Sequence, residues 1–308
     1  MQNDFQVRYF FCKTVLGRAK RQLCKLYPSF LIFENMLNEN IANIFVEEHL
    51  ISSKFLNRDV KIDCYLPVNV AQPASMDLLL INDGQDLVTM AFEKILETLY
   101  ERHAITPLLC VGMHCSADRR NEYATANTLD YKGRGTKAAL YTQFVMKELI
   151  PFIKKKYAVP FFKEKSFAGF SLGGLSALDI VWNNPADFSK VGAFSGSFWW
   201  RDKAQDAVGF DEDEHRIMQH QIREGNYYPW LKFFFEVGTQ DETADRNNNG
   251  IIDSIDDTVS LIQELKNKGY TNESIQYLEL QDGQHNVATW ARAFPDFLKW
   301  GWGKNIDG

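Results

Sequence analysis

A serine lies between two glycines in the segment Gly169-Phe170-Ser171-Leu172-Gly173, which fits the pattern G-x-S-x-G. A strand-like apolar run ends at Phe170 and a helical pattern starts at Leu172, so we expect the serine on a sharp strand-to-helix turn, a nucleophile elbow. The start of the helix would place free N–H groups and the positive end of its dipole beside the hydroxyl. These features predict that Ser171 is a nucleophile, and a glycine-rich packing turn is the alternative.

Two residues further along the chain could activate this serine. A serine hydroxyl is a weak nucleophile until a base removes its proton, and an acidic side chain commonly orients that base. In serine hydrolases built on an α/β sheet, the acid and the histidine follow the serine in this order. Asp241 lies on a loop after a strand-like run, with Glu242 as the competing acid, and His285 follows the last such run. We therefore predict that His285 takes the Ser171 proton and that Asp241 holds the imidazole.

Attack by a serine also needs N–H donors for the negatively charged oxygen that forms on the substrate. We expect one donor to be the backbone N–H of Leu172, at the start of the helix. The second should come from the loop after the run Asp77–Asp83, and the backbone N–H of Gln85 is the candidate. An ordinary turn at Asp83 and Gly84 is the alternative interpretation of this loop.

The elements that must position these residues alternate along the chain. Two β-rich runs joined by a turn predict a hairpin, and apolar strand-like runs then alternate with helical patterns. This order is typical of a mostly parallel central sheet with helices on both faces, here with antiparallel N-terminal edge strands. We predict one α/β domain over residues 37–308. The strand-like runs cover residues 43–53, 58–67, 77–83, 106–114, 165–170, 190–198, 230–238 and 274–280, and the helical patterns cover 87–103, 137–157, 172–182, 256–268 and 289–300.

Composition and charge restrict the functional class. The 308 residues are 45% hydrophobic and 24% charged, which is ordinary for a folded domain with a full-sized core. The net charge of −6 lacks the basic footprint of a nucleic-acid-binding protein. The five cysteines form no CxxC pair, which favours reduced thiols in the cytoplasm over a disulfide framework or a zinc site. No apolar run approaches the ~18 residues that a membrane helix needs.

Residues 1–36 precede the predicted domain and have the pattern of a basic amphipathic helix. Lysine and arginine side chains are interspersed with apolar residues such as Phe5, Leu16 and Leu23. Helices of this kind can lie on anionic membranes, but the favoured interpretation is an appendage that docks on the domain. A start assigned too early, with Met36 as the true first residue, is a further alternative.

A second motif lies close to the predicted acid. The segment DRNNNGIIDSID, residues 245–256, fits D-x-[DN]-x-[DN]-G with an aspartate at its twelfth place. Calcium prefers several oxygens on a tight loop, so this is a candidate structural calcium site that would stiffen the segment carrying Asp241. The final aspartate instead of glutamate weakens the match, and an asparagine-rich turn that caps the next helix is the alternative. The predicted ligands are the side chains of Asp245, Asn247, Asn249, Asp253 and Asp256 and the carbonyl of Ile251.

Large side chains near the predicted strand ends are candidates for the substrate pocket. Trp199, Trp200 and Trp290 could contact an acyl or aryl group, and Arg119 and Tyr123 follow a neighbouring strand at the same edge. Tryptophans fill protein cores equally well, so a purely structural role is the alternative.

The chain resembles the putative esterase family, also called the esterase D family. The matching segments span most of residues 45–300 and include LINDGQD, AGFSLGGLSAL, FSGSFWW, EVGTQDE and DGQHNVATW. The family includes S-formylglutathione hydrolases, feruloyl esterases, siderophore-trilactone esterases and mycolyltransferases. The resemblance implies the α/β-hydrolase fold, no required cofactor, and a catalytic triad of Ser171, Asp241 and His285. Residues 1–36 lie outside it.

The functional expectation is a serine carboxylic-ester hydrolase that acts on a small-molecule ester through an acyl-enzyme. An acyltransferase on the same scaffold is one alternative, because an alcohol could replace water in the second step. A non-catalytic member that binds calcium or a partner is the other. The sequence does not predict the physiological ester or the oligomeric state.

Overall fold

The apolar runs of the chain form the strands of one sheet in the computed structural model, which describes residues 43–68 and 76–304. Residues 1–36, the predicted appendage, lie outside the described residues. Within those residues the sheet has eight strands, in the order β1-β2-β4-β3-β5-β6-β7-β8. The strands are β1 (Ile44–Ser53), β2 (Arg58–Pro67), β3 (Asp77–Asn82), β4 (Leu108–Met113), β5 (Lys165–Phe170), β6 (Lys190–Phe194), β7 (Lys232–Gln240) and β8 (Ile275–Gln284).

Strand direction divides the sheet into two parts. β1 and β2 form an antiparallel hairpin, and β2 also pairs antiparallel with β4. From β4 through β3 to β8, all neighbouring strands are parallel. The predicted mostly parallel sheet with antiparallel N-terminal edge strands is therefore confirmed. Because parallel strands end on the same side, the loops after β3 to β8 meet along one border, which we call the carboxyl edge.

Helices cover both faces of the sheet. They are α1 (Asp86–Thr89), α2 (Phe92–Glu101), α3 (Arg119–Glu122), α4 (Ala138–Phe144), α5 (Ile150–Lys156), α6 (Leu172–Asn183), α7 (Glu212–His215), α8 (Ile217–Glu224), α9 (Asp253–Lys268) and α10 (Val287–Trp302), and a π-helical turn, Val145–Leu149, joins α4 to α5. In residues 43–68 and 76–304, none of these helices has both the length and the apolar composition needed to cross a bilayer.

The core consists of two layers, one on each face. Helices α4 to α6, α8 and α9 pack on one face, and α2 and α10 pack on the other. Strand β7 shows how one apolar run serves both layers, because successive side chains of a strand point to opposite faces. Phe233 contacts Tyr270 on the first face with ring centroids 4.9 Å apart, and Phe234 contacts Phe297 of α10 on the second at 5.3 Å.

One strand ends earlier than its apolar pattern predicts. β6 stops at Phe194, although the apolar run continues to Phe198. Ser195 has a left-handed backbone with φ of 46°, which an extended strand cannot accommodate. Its N–H donates to the carbonyl of Glu236 on β7 at 2.8 Å. Residues 195–198 therefore form a buried turn at the carboxyl edge.

The contact between β5 and α6 depends on a glycine that faces the helix backbone. A Cβ on Gly169 would overlap the backbone carbonyl of Gly173 and lie 2.9 Å from the N atom of Gly174. Protein backbones approach this closely only where no side chain intervenes. Gly169 thus allows α6 to start directly above the end of β5.

We expect Gly169→Ala to lower the free energy of unfolding by about 1–3 kcal/mol, since the clash is with backbone and cannot be relieved by a side-chain rotation. Urea denaturation measures this change. Gly301→Ala is the matched control, because its added Cβ would lie 3.6 Å from Lys190, an ordinary contact. The control should be neutral or slightly stabilising, as alanine is the better helix former. Equal losses in both variants would contradict the close-approach explanation.

Candidate active site

Ser171 lies on the turn between β5 and α6 with φ of 54° and ψ of −122°. A non-glycine residue in such a conformation costs about 1–3 kcal/mol and persists only where its surroundings impose it. Four hydrogen bonds hold the peptide groups of Ser171. Its N–H donates to the carbonyl of Phe194 at 2.8 Å. Its carbonyl accepts from the N–H groups of Gly174 at 3.0 Å, Leu175 at 3.3 Å and Ser197 at 3.1 Å. Ser171 is half-buried at the carboxyl edge.

Asp241 and His285 contact each other at the same edge. Asp241 follows β7 and its side chain has 0% exposure, and His285 follows β8 with 41% of its side chain exposed. The distance from His285 Nδ1 to Asp241 Oδ2 is 3.4 Å, and Asp241 Oδ1 accepts from the N–H of Gly238 at 3.3 Å. Glu242, the alternative acid, has no hydrogen bond to His285 in the described part of the chain.

Aromatic contacts connect the histidine loop to the serine turn. The ring of His285 lies edge-on to Trp290 with centroids 5.4 Å apart, and Trp290 stacks on Phe170 at 5.0 Å. Trp290 Nε1 donates to Ser195 Oγ at 2.9 Å. Because Phe170 directly precedes Ser171, these contacts bring the three predicted catalytic residues to one region. Within the described ranges, the Ser171 hydroxyl contacts Ser197 Oγ at 3.4 Å, and no hydrogen bond joins it to His285.

Both predicted oxyanion donors lie at starts of helices. Leu172 is the first residue of α6 and Gln85 directly precedes α1. The first N–H groups of a helix have no acceptor within that helix. Among the described residues, the N–H groups of Leu172 and Gln85 have no acceptor, whereas the N–H of the adjacent Gly84 donates to Met113 at 2.7 Å. These two N–H groups remain available to a ligand.

The loop that carries Gln85 is tied to the serine turn by buried polar contacts. Both oxygens of Asp83 accept from the Arg119 guanidinium at 2.7 Å, and Arg119 also donates to the carbonyl of Phe170 at 3.1 Å. The Tyr123 hydroxyl accepts from the N–H of Asp83 at 3.2 Å. Burial alone would lower the pKa of Arg119, but its hydrogen bond to Asp83 and the charge of that carboxylate raise it above the ordinary value. Arg119 and Tyr123 therefore position the loop.

The predicted pocket residues differ in their access to solvent. Tyr123 has 0% exposure, Trp200 1% and Trp290 6%, so each of them packs in the core in this structure. Trp199 is half-buried, and the guanidinium of Arg134 lies 5.6 Å from the centre of its ring. The contribution of these side chains to a substrate pocket stays a prediction.

The predicted calcium loop folds as a tight turn in which several side-chain oxygens accept hydrogen bonds from N–H groups of the same loop. Asp245 accepts from the N–H groups of Asn249 at 3.1 Å and Gly250 at 2.9 Å. Asp256 accepts from the side-chain amides of Asn247 and Asn249 at 2.9 and 2.8 Å. Across the described residues, no group of three or more His, Cys, Asp or Glu side chains could hold a metal ion. Calcium binding by this loop stays a prediction.

Comparison with solved structures defines the class of fold. The chain superposes on enterochelin esterase from Shigella flexneri with a TM-score of 0.64 and 21% identity, covering 82% of this chain and 57% of that one. It superposes on a ferulic acid esterase with a TM-score of 0.62 and 17% identity, covering 84% and 97% of the two chains. The chain thus spans little more than half of the enterochelin esterase that it matches. Together with the sheet topology, these similarities confirm the predicted α/β-hydrolase fold.

The family follows from the sequence itself. The model of the family described as Putative esterase matches residues 53–300, so the chain belongs to this family. A relative, the uncharacterized protein YbbA of Bacillus subtilis (strain 168), is 23% identical over 253 residues, covering 78% of this chain and 92% of YbbA. Family membership confirms the predicted resemblance.

Two residues near the site were not singled out from the sequence. Ser197 lies in the turn after β6 beside Ser171, and no spacing rule marks it. Glu236 interrupts the apolar run of β7, and a carboxylate within a buried strand is a signal that could have been used. Its side chain is fully buried, and neither carboxyl oxygen has a hydrogen-bond partner in the described residues. Burial, followed by the nearby charge of Asp241, raises the pKa of Glu236 to about 8.

We expect the stability of the protein to fall with rising pH because of Glu236. Between the ordinary glutamate pKa of 4.5 and a pKa of about 8, the folded protein retains a proton that the unfolded chain has released. The free energy of unfolding therefore decreases by up to about 1.4 kcal/mol per pH unit from this group. Glu236→Gln, which cannot ionise, should show a correspondingly flatter dependence in urea denaturation across this interval.

Glu279→Gln is the control, because Glu279 is an exposed carboxylate on the neighbouring strand β8. It should keep the slope of the wild-type protein. Parallel wild-type and Glu236→Gln curves would mean that Glu236 is not protonated in the folded state at neutral pH.

Proposed function

We propose that the protein is a serine carboxylic-ester hydrolase that works through an acyl-enzyme, with Ser171 as nucleophile, His285 as general base and Asp241 as the acid that orients it. The observation that carries the proposal is the left-handed backbone of Ser171, with φ of 54° at the start of α6. Strain of this kind concentrates at functional sites and exposes the hydroxyl beside free helix N–H groups. The contact of the buried Asp241 side chain with the partly exposed ring of His285 supports the assignment of the other two roles.

In the acylation step, His285 Nε2 accepts the proton of Ser171 as Oγ bonds to the ester carbonyl carbon. The carbonyl π electrons move to the oxygen, which the N–H groups of Leu172 and Gln85 stabilise. The intermediate then expels the alcohol, which receives the proton from His285. For this step His285 Nε2 has to come within hydrogen-bond distance of Ser171 Oγ, and such contacts commonly tighten when substrate binds.

Deacylation repeats this sequence with water. His285 removes a proton from water, the resulting hydroxide attacks the acyl carbon, and the bond from that carbon to Ser171 Oγ breaks. The proton returns to Ser171, and a carboxylic acid is released. Asp241 stabilises the imidazolium in both steps, because an ionised carboxylate beside the ring favours its charged form.

The proposed substrate is a small-molecule ester. Two structural relatives carry the names enterochelin esterase and ferulic acid esterase, and both names denote hydrolysis of esters. A screen of the purified protein against short acyl, feruloyl, acetylated sugar, thioester and trilactone substrates would identify the class that is turned over fastest.

We further propose a cytoplasmic location, in keeping with the free thiols of Cys64, Cys110 and Cys115.

The two alternatives make different predictions. An acyltransferase would form the same acyl-enzyme but deliver the acyl group to an added alcohol or sugar in preference to water, and product analysis detects this. A non-catalytic member would have an intact fold and an unreactive Ser171.

We expect a fluorophosphonate to label Ser171 and Ser171→Ala to abolish both labelling and turnover of short p-nitrophenyl esters. Loss of the nucleophile removes the covalent pathway, so the rate should fall by about 10³-fold or more. Mass spectrometry of labelled peptides and a steady-state assay measure these effects.

Ser176→Ala is the control, since Ser176 is a buried serine one turn further along α6. It should retain labelling and turnover. Full turnover by Ser171→Ala would exclude the proposed mechanism, because the protein would then hydrolyse the ester without this hydroxyl.

We also propose that the loop of residues 245–256 binds calcium as a structural ion. Its side-chain oxygens from Asp245, Asn247 and Asp256 are of the type that calcium prefers. Millimolar calcium should raise the melting temperature of the wild-type protein, because a ligand that binds the folded state stabilises it. Asp245→Asn should reduce this shift, with magnesium as the control ion, and an unchanged melting temperature in calcium would contradict the proposal.

A further inference from the structure

Ser197 is a buried hydroxyl that lies next to the proposed nucleophile. Ser197 is only 5% exposed, and its Oγ lies 3.4 Å from the Oγ of Ser171. In the described part of the chain, its hydroxyl has no other hydrogen-bond partner. Either hydroxyl can be the donor in this contact, and Ser171 Oγ is the one acceptor within reach of the Ser197 hydroxyl among the described residues. That acceptor is the atom at which the proposed chemistry takes place.

The position of Ser197 is fixed by the turn at residues 195–198. Its N–H donates to the carbonyl of Ser171 at 3.1 Å, and its own carbonyl accepts from the N–H of Trp200 at 3.1 Å. Two residues earlier, the left-handed backbone of Ser195 anchors the turn to β7. Ser197 is thus attached to the same backbone as the nucleophile by a direct hydrogen bond, which limits the movement of one relative to the other.

We propose that Ser197 is a second catalytic hydroxyl, which donates a hydrogen bond to Ser171 Oγ whenever this atom carries negative charge. The inference rests on the proposed function, because it assumes that Ser171 is the nucleophile. A hydroxyl oxygen can accept one hydrogen bond while donating another. Ser171 can therefore accept from Ser197 and donate to His285 at the same time.

The donor would act at two points of the reaction. During acylation, charge grows on Ser171 Oγ as its proton moves to His285 and before the bond to the carbonyl carbon is complete. During deacylation, the bond from the acyl carbon to Oγ breaks, its electron pair goes to Oγ, and the proton from His285 then neutralises it. Ser197 transfers no proton in either step. Its hydrogen bond is stronger to the charged oxygen than to the neutral one, and such a difference lowers the barrier.

The size of the effect follows from the chemistry of the donor. A hydrogen bond to a charged group that forms fully only in the transition state corresponds to about a 10- to 100-fold change in rate. Because Ser197 is proposed to act on the oxygen of Ser171 and not to bind the ester, kcat should change and KM should not.

The experiment compares Ser197→Ala, Ser197→Thr and Ser166→Ala with the wild-type protein. Ser166 is a buried serine on β5 whose hydroxyl has no hydrogen-bond partner in the described residues, so its variant controls for loss of a buried hydroxyl. We would measure kcat and KM with a p-nitrophenyl ester, the rate of fluorophosphonate labelling at Ser171, and the melting temperature.

We expect Ser197→Ala to lower kcat and the labelling rate by about 10- to 100-fold, with KM within about threefold of the wild-type value and labelling still complete at long times. Ser197→Thr, which keeps the hydroxyl, should recover most of the lost rate. Ser166→Ala should match the wild-type protein. If Ser197 had only a structural role, Ser197→Ala would instead lower the melting temperature, and it would not lower kcat selectively at an unchanged KM.

A kcat of Ser197→Ala within about threefold of wild type would overturn the inference, as would equal losses in the alanine and threonine variants at unchanged melting temperature. Labelling of Ser197 in Ser171→Ala would also overturn it, because Ser197 would then be a nucleophile and not a donor. These results differ from failure of the proposed function, in which the wild-type protein itself is not labelled at Ser171.

Discussion

The close approach of β5 and α6 is the constraint on which the rest of the site depends. Gly169 allows the first turn of the helix to lie against the end of the strand, because a Cβ at this position would overlap the backbone of Gly173. Ser171 takes up the change of direction with φ of 54°. The same contact places the start of α6 directly after Ser171, where the N–H of Leu172 has no acceptor among the described residues. The free-energy cost of the strained Ser171 backbone is thus offset by the packing of β5 against α6.

The remaining parts of the site are held at the carboxyl edge by contacts between loops. Arg119 links the Asp83 loop to the end of β5, and Trp290 links the histidine loop to both β5 and the turn after β6. Each link joins segments that are far apart in sequence. These buried polar and aromatic contacts fix the positions of the loops at the carboxyl edge. Tyr123 and Trp200, which were predicted as pocket lining, are buried in this structure.

Local patterns in the sequence were sufficient for much of the fold. The bounds of β5 are those expected from its apolar run, and the hairpin of β1 and β2 follows from its alternation and turn. The early end of β6 could not be predicted, because it depends on a hydrogen bond from Ser195 to a carbonyl of β7. The pairing of Arg119 with Asp83 and the position of Ser197 likewise depend on tertiary contacts. The chain order of serine, acid and histidine predicted which loops would meet, but not the distances between their side chains.

The unequal burial of Asp241 and His285 has a consequence for how protons leave the site. Asp241 is sealed from water, whereas about two fifths of the His285 side chain faces it. In the proposed mechanism, the proton that His285 takes from Ser171 goes to the leaving alcohol, and the proton that it takes from water returns to Ser171. When no ester is bound, the exposed part of its ring can exchange protons directly with the solvent and needs no internal relay of side chains. The imidazole can therefore exchange protons with the bulk solvent between turnovers, while the buried carboxylate of Asp241 fixes its orientation.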